Sequence, residues 1–236
     1  MTELSVVTWL WRSSGARSPY GPEHVNALCA MVAKRYSGRF RFIVVTNERG
    51  PFREGIEVVP DAMDFAGVRS PEGLSMPSCY RRLRLFHPDA RRWFGDRVAS
   101  LDLDLVLTAA VDPLWDRPED VVVYRDPLRS LQVNGSMLLL RTGSRPDVWN
   151  DFDPVSSPKL ARAAGFRGSD QAWLSYCLGT APRWDTADGV YSYRKHVQPD
   201  DGLPVGAKVV VFHGNPKPWN RGPQSLAWVR ENWGRA

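Results

Sequence analysis

The order of elements at the N-terminus constrains the fold of this chain more than any other feature. An apolar run at Leu4–Trp11 predicts a buried strand, and the sequence FRFIVVT at Phe40–Thr46 predicts a second one. Between them, Pro22 begins a stretch to Tyr36 with apolar residues at helical spacing, and Gly38 ends it. A strand, a helix and another strand in this order indicate a parallel sheet with right-handed crossovers.

The rest of the chain continues the α/β pattern without a repeat or an obvious linker. Further strands are predicted at 55–59, 97–107, 121–124, 132–140 and 208–212. Helices are predicted at 78–87, at 170–178 with Ser169 as the N-cap, and at 225–233. We therefore expect a single domain over residues 1–236, with 220–236 as a short tail that packs on it.

Composition limits the class of protein. Of the 236 residues, 43% are hydrophobic, which favours a folded globular chain. No apolar run approaches the roughly 18 residues that would span a bilayer, and the N-terminus does not resemble a signal peptide. The three cysteines lack metal-site spacing, which indicates a reducing compartment. A cytoplasmic protein is expected, with peripheral contact with a membrane left open.

The charge of the chain favours a small anionic substrate. The net charge is +5, and its densest basic cluster is Arg81, Arg82 and Arg84. No long basic run and no nucleic-acid-binding motif accompanies this cluster, so a nucleic-acid partner is not expected. The sequence predicts no oligomeric state.

Two acidic residues close the predicted strand 97–107. Because strand side chains alternate, Asp102 and Asp104 are expected on one face while Leu103 points to the other. Two carboxylates about 4 Å apart repel by about 4 kcal/mol at an effective dielectric of about 20, and a divalent cation reverses that cost. A solvated pair of strand-end acids is the alternative, and the Asp-x-Asp pattern alone does not decide between them.

A second candidate segment, His213–Trp219, follows the predicted strand 208–212. Gly214 permits a close backbone approach to a ligand, and Lys217 stands between two prolines. An imidazole can complete a two-carboxylate metal site, and a lysine can neutralise the charge of a phosphate. A structural turn with a surface lysine is the alternative.

These features belong to a longer series of segments in a characteristic order. The segments are VVTWLW with the later Tyr20, CYRRLRLF, VASLDLDLVLTAAVDPLW, LQVNGSMLLLRTG, GSDQAWLSYCLG and VVVFHGNPKPW. Together they span residues 5 to 219 and resemble family 8 of the GT-A glycosyltransferases, the glycogenin and lipopolysaccharide galactosyltransferase group. The resemblance implies the α/β class: a single GT-A (Rossmann-like) nucleotide-diphospho-sugar transferase domain with a mostly parallel central sheet.

The resemblance also implies roles for particular residues. It assigns Asp102, Asp104 and His213 to Mn²⁺ (or Mg²⁺), which grips the diphosphate of UDP. It assigns Asp170, Gln171 and Lys217 to catalysis, with Asp170 and Gln171 against the transferring sugar. The other implied nucleotide-sugar contacts are Thr8, Trp9, Leu10, Tyr20, Arg82 (or Arg81 or Arg84 in its place), Leu103, Asn134, Gly135, Ser136 and Gly214. A β-bulge at 134–136 and acidic residues that merely decorate a helix start at 170 are the alternatives.

One spacing departs from the family pattern. Better-known members have two residues between the metal-binding histidine and the glycine, and two more before Lys-Pro-Trp. Here His213 and Gly214 are adjacent, and three residues separate His213 from Lys217. Either this loop is tighter or the geometry at the metal differs.

The implied activity is Mn²⁺-dependent, retaining transfer of a hexosyl group from a UDP-sugar donor to the hydroxyl of a carbohydrate or other acceptor. A metal-dependent sugar-nucleotide hydrolase or nucleotidyltransferase is the alternative enzyme, and a basic nucleic-acid-binding module is the alternative without catalysis. Residues 60–77 and 145–165 are candidates for acceptor contact, but their composition identifies neither acceptor nor donor sugar.

Overall fold

The computed structural model describes residues 3–11, 20–73, 76, 78–198 and 202–233. The strands are β1 Leu4–Leu10, β2 Phe40–Thr46, β3 Ile56–Val59, β4 Arg97–Leu101, β5 Leu105–Leu107, β6 Val121–Arg125, β7 Val133–Arg141, β8 Arg183–Trp184, β9 Val190–Ser192 and β10 Val209–Val211. The α-helices are α1 Pro22–Arg35, α2 Ala90–Phe94, α3 Asp112–Trp115, α4 Asp147–Asn150, α5 Ser157–Ala163, α6 Asp170–Cys177, α7 Arg221–Ser225 and α8 Ala227–Asn232. Tyr80–Phe86 and Thr186–Asp188 form 3-10 helices, and Tyr193–Val197 forms a π-helical turn. Parts of the predicted loop 60–77 and of the tail 220–236 lie outside the described residues.

A seven-stranded sheet forms the centre, in the order β3-β2-β1-β4-β7-β6-β8. The first four strands in this order are mutually parallel, β7 runs antiparallel to both of its neighbours, and β6 pairs in parallel with β8. The expected α/β class with a mostly parallel central sheet is therefore confirmed. A smaller sheet, β5-β10-β9, lies beside it.

The central strands are buried on both faces, which explains why their sequences are predominantly apolar. In β1, Val6 packs into one hydrophobic cluster and its neighbour Val7 into another. The first cluster holds α1, the smaller sheet and the C-terminal Trp233. The second holds the 3-10 helix Tyr80–Phe86 and the helices α2, α4, α5 and α6. Side chains of successive residues thus bind the two helical layers to one sheet.

Four sequence expectations about local structure are wrong. The predicted strand 97–107 is two strands, because β5 leaves the central sheet to pair with β10. Within the predicted helix 225–233, Ser225 is the last residue of α7 and Ala227–Asn232 forms the separate helix α8, while the predicted helix 78–87 is a 3-10 helix. Ser169 precedes α6 without capping it, because its hydroxyl instead accepts the backbone N–H of Cys79 at 3.0 Å. Among the described helices, none is long and apolar enough to cross a membrane.

Candidate active site

The Asp-x-Asp sequence forms the turn by which the chain passes from the central sheet to the smaller one. Asp102 donates its backbone N–H to the carbonyl of Ser136 in β7 at 2.9 Å. The carbonyl of Asp104 accepts the N–H of Phe212, just after β10, also at 2.9 Å. Leu103, between them, is buried in the core on the α1 side. Both aspartates are therefore fixed by their backbones at the carboxyl end of β4, where α/β sheets bind ligands.

Arg82 holds the Asp102 side of this turn. Its guanidinium forms an ion pair with Asp102, donates to the carbonyl of Gly135 at 3.0 Å, and contacts Asp170 Oδ2 through Nε at 2.8 Å and Nη2 at 2.7 Å. The side chain of Asp170 is 3% exposed, whereas that of Asp102 is 31% exposed. Arg82 thus joins a buried carboxylate to one that faces solvent.

Burial and ion pairing shift the pKa values of these groups in opposite directions. Partial burial raises the pKa of Asp102, although Arg82 opposes the shift; the nearby charge of Asp104 adds to it. Burial likewise raises the pKa of Asp170, again against Arg82. Burial disfavours the charged form of Arg82, yet its two carboxylate partners outweigh that effect and raise the pKa of its guanidinium.

Lys217 holds the Asp104 side of the turn. Its ammonium forms an ion pair with Asp104 and lies 3.4 Å from the carbonyl of Phe212, and both side chains of the pair are almost fully buried. Tyr20 donates its hydroxyl to the same Asp104 oxygen at 3.0 Å. The backbone N–H of Lys217 donates to Asn220 Oδ1 at 2.6 Å, which fixes the loop that carries the ammonium.

His213 lies directly after β10 and has a different partner. Its Nε2 lies 2.6 Å from Ser192 Oγ at the end of β9. Burial lowers the pKa of His213, with Asp126 acting in the opposite direction, so its imidazole is neutral near pH 7. Gly214 has φ +77, and a Cβ there would lie 3.1 Å from Arg194 Nη1. The tight turn from His213 into the lysine loop therefore uses the glycine at this position.

The remaining predicted nucleotide contacts lie at the same edge of the sheet. Thr8 is buried and donates its hydroxyl to the carbonyl of Leu101, while the side chains of Trp9 and Leu10 belong to the core. Asn134 Oδ1 accepts the N–H of Ser136 at 3.0 Å. Residues 135–137 bulge out of the pairing between β7 and β6, and this bulge directs the Gly135 carbonyl at Arg82. Gln171 donates from Nε2 to the carbonyl of Arg167 at 3.2 Å.

The structure thus gathers the predicted residues into two charged groups: Arg82 with Asp102 and Asp170, and Lys217 with Asp104 and Tyr20. The three predicted metal ligands do not form a comparable group: Asp102, Asp104 and His213. Within the described part of the chain, no three His, Cys, Asp or Glu side chains are grouped as metal ligands.

His24 is a residue of this region that sequence analysis missed. It is buried, its Nδ1 accepts the backbone N–H of Gly21 at 2.9 Å, and its ring lies 4.1 Å from that of Trp219. Trp219 in turn packs edge-on against Tyr20, which contacts Asp104. A local signal could have identified it: His24 is a polar residue in the first turn of α1, where side chains commonly accept a free backbone N–H of the helix start.

Comparison with solved structures identifies the fold. The chain matches the galactosyltransferase LgtC in complex with donor and acceptor sugar analogs with a TM-score of 0.61 and 16% identity, over 96% of this chain and 93% of that one. It matches apo WbbM, a bifunctional glycosyltransferase, with a TM-score of 0.64 and 13% identity, over all of this chain and 50% of that one. For the apo-form glycosyltransferase GlyE of Streptococcus pneumoniae TIGR4 the values are 0.58 and 14%, over 98% of this chain and 61% of that one.

No family model and no curated protein matches the chain. The likeness to solved structures therefore establishes the fold: the chain has the GT-A glycosyltransferase fold, and the predicted resemblance to family 8 is confirmed at that level.

Proposed function

We propose that this chain is a glycosyltransferase that moves a hexosyl group from a UDP-sugar to an acceptor hydroxyl, with retention at the anomeric carbon. One observation carries the proposal: the turn at Asp102 and Asp104 is held between the fixed cations of Arg82 and Lys217 at the carboxyl end of β4. Carboxylates can bind a divalent metal ion, and neighbouring basic side chains can bind phosphate. Together they suit the diphosphate of a sugar nucleotide. The neighbours named as glycosyltransferases share this fold.

A divalent cation fits the chemistry of these donors. In the part of the chain that the structure describes, the three carboxylates pair with only two cations, Arg82 and Lys217, so the cluster has an excess of negative charge: Asp102, Asp104 and Asp170. The neutral imidazole of His213 offers nitrogen, and two carboxylates with an imidazole suit Mn²⁺, or Mg²⁺ where oxygen dominates. When bound by Asp102 and Asp104, with His213 as a third ligand, such a cation would supply positive charge to the donor diphosphate.

The chain's own cations complete this arrangement. Lys217 is buried and held by Asp104 and its own loop, so its charge is already oriented when the diphosphate begins to leave. Arg82 is fixed in the same way by Asp170, which is almost fully buried and therefore acts as a positioning residue. Gln171, one residue further along α6 and half-buried, is the member of the predicted pair that we assign to the transferring sugar.

Product analysis tests the proposal. Incubation with UDP-glucose or UDP-galactose, Mn²⁺ and a panel of saccharides is expected to give UDP and a glycosylated acceptor, detected by mass spectrometry. Sugar phosphate or pyrophosphate as the product would instead identify a hydrolase or nucleotidyltransferase.

Asp102→Asn and Asp104→Asn are each expected to abolish turnover. Asp120→Asn, which breaks an exposed ion pair with Arg141, is the matched control and retains it. Full activity in either of the first two variants contradicts the assignment.

A further inference from the structure

A groove separate from the charged turn opens between two segments of the surface. The loop 67–71 forms one wall, and residues 154–162, which lead into and along α5, form the other. Its volume is about 710 Å³, within the roughly 300–1,000 Å³ of small-ligand clefts.

The lining of this groove combines apolar and basic surface. Val68, Pro71 and Val155 supply apolar contact area, and Val155 is 66% exposed. Arg69 and Lys159 are exposed, and neither has an acidic partner among the described residues. The surface therefore suits a ligand with an apolar or sugar face and a negative charge.

A third cation in the groove has a structural task. Arg162 donates to the carbonyl of Pro71 at 2.8 Å and to Glu72 Oε1 at 3.3 Å, so it ties α5 to the opposite wall. Among the described residues that line the groove, Arg162 is therefore paired with Glu72, whereas Arg69 and Lys159 are left for a ligand.

The groove is built on anchored residues and adjoins the candidate active site. Phe65, just before the loop, packs against Phe152 with ring centroids 4.7 Å apart. Ser78 donates its hydroxyl to the carbonyl of Val68 at 2.5 Å, at the start of the helix that carries Arg82. Glu72 also accepts the N–H of Gly168 at 3.4 Å, two residues before Asp170. Through Glu72, which follows the groove residue Pro71, this wall is therefore connected to the segment that leads to Gln171, the residue assigned to the transferring sugar.

From this we infer that the groove binds the distal, acidic part of the acceptor, a saccharide that carries a phosphate or a carboxylate. That this saccharide is the acceptor rests on the proposed function. That the groove binds an acidic saccharide does not depend on it. Arg69 and Lys159 would bind the acidic group, and the proline- and valine-lined surface would contact the sugar face.

Calorimetric titration of the full chain tests this. Glucose 6-phosphate and glucuronate are the acidic probes, glucose is the neutral one and inorganic phosphate is the sugar-free one. Each probe is titrated with and without saturating UDP. Bound UDP occupies the candidate nucleotide site, so that phosphate or a phosphorylated sugar cannot bind there instead. At least one acidic sugar is expected to bind more tightly than both glucose and inorganic phosphate, and more weakly as salt is raised.

Charge-removing variants locate the site. Arg69→Gln and Lys159→Gln are each expected to weaken binding of the acidic sugar about fivefold, and the double variant more. Arg39→Gln is the control. It removes one positive charge from an exposed arginine directly before β2, and it is expected to leave the affinity for the acidic sugar unchanged. Arg162 is left intact because its loss would loosen the groove.

Equal affinities in wild type, Arg69→Gln and Lys159→Gln would overturn the inference, as would binding of inorganic phosphate as tight as that of the acidic sugars. UDP-sugar binding, measured separately in the same variants, is expected to be unchanged. Loss of the acidic-sugar site therefore remains distinguishable from failure of the proposed glycosyl transfer.

Discussion

Replacing Arg82 by methionine removes the cation that joins Asp102 to Asp170. Breaking a buried ion pair by removing one partner costs about 3–5 kcal/mol, because the remaining charge is left uncompensated. Asp170, 3% exposed, bears that cost in full, whereas Asp102, 31% exposed, is partly solvated and adds less. We therefore expect Arg82→Met to lower the free energy of unfolding by about 4 kcal/mol at pH 7.5.

The effect of pH follows from the direction of the pKa shifts. Both carboxyl groups already have raised pKa values in the folded protein, and loss of Arg82 raises them further. At a pH between the pKa of such a carboxyl group in the unfolded chain and its higher pKa in the folded protein, the folded state binds more protons than the unfolded state. Lowering the pH therefore stabilises the variant against unfolding. The deficit of Arg82→Met is therefore expected to shrink between pH 7.5 and pH 5.5.

Urea denaturation at the two pH values measures both quantities, provided that the m-value is unchanged. Arg82→Lys keeps the charge and is expected to lose about half as much stability. Arg141→Met removes an arginine from an exposed pair with Asp120 and is expected to cost less than about 1 kcal/mol. A loss below about 1 kcal/mol for Arg82→Met at pH 7.5, or one that does not change with pH, would contradict the role of Arg82 as the buried counter-ion of Asp170.

Three further perturbations probe the surroundings of the turn. Lys217→Met is expected to lower the turnover of UDP-sugar about 100-fold in a UDP-release assay, because an oriented cation is lost from the leaving group; unchanged turnover would exclude that role. Gly135→Ala places a Cβ 2.6 Å from Arg82 Nη2 and is expected to cost about 1–3 kcal/mol in urea denaturation. Gly222→Ala, where a Cβ meets nothing within 4 Å, is its control, and equal stabilities would contradict the packing argument. Burial lowers the pKa of His24, so the unfolded state takes up its proton first and stability falls as pH drops below about 6.5. His24→Asn is expected to show a smaller fall in melting temperature between pH 7.5 and pH 5.5, and an equal fall would argue against a neutral buried imidazole.

The central strands could be predicted from local sequence because their burial is two-sided. β1 ends one residue before the predicted strand, and β2 has the predicted bounds, since each is predominantly apolar. The same local pattern failed at 97–107. Leu101, Leu103 and Leu105 alternate with the aspartates as in a strand, and only the pairing of β5 with the distant β10 shows that the chain turns between them.

The residues of the candidate site could be predicted from the sequence, but the contacts between them could not. Arg82, Asp102 and Asp170 were each assigned to the site from their segments, yet nothing local shows that one guanidinium holds both carboxylates and the Gly135 carbonyl. That convergence depends on the bulge in β7 and on where the 3-10 helix packs. His24 was missed for the same reason, because its contact with Trp219 joins the two ends of the chain.

Titration of UDP into the wild-type protein and Asp102→Asn, with Mn²⁺ or with EDTA, tests whether the Asp102–Asp104 turn holds a metal-bound nucleotide. We expect UDP to bind the wild type at least tenfold more tightly with Mn²⁺, and Asp102→Asn to lose this difference. UDP that binds equally well in EDTA, or a metal-dependent gain that survives in Asp102→Asn, would contradict the assignment of the Asp102–Asp104 turn to a metal-held sugar nucleotide.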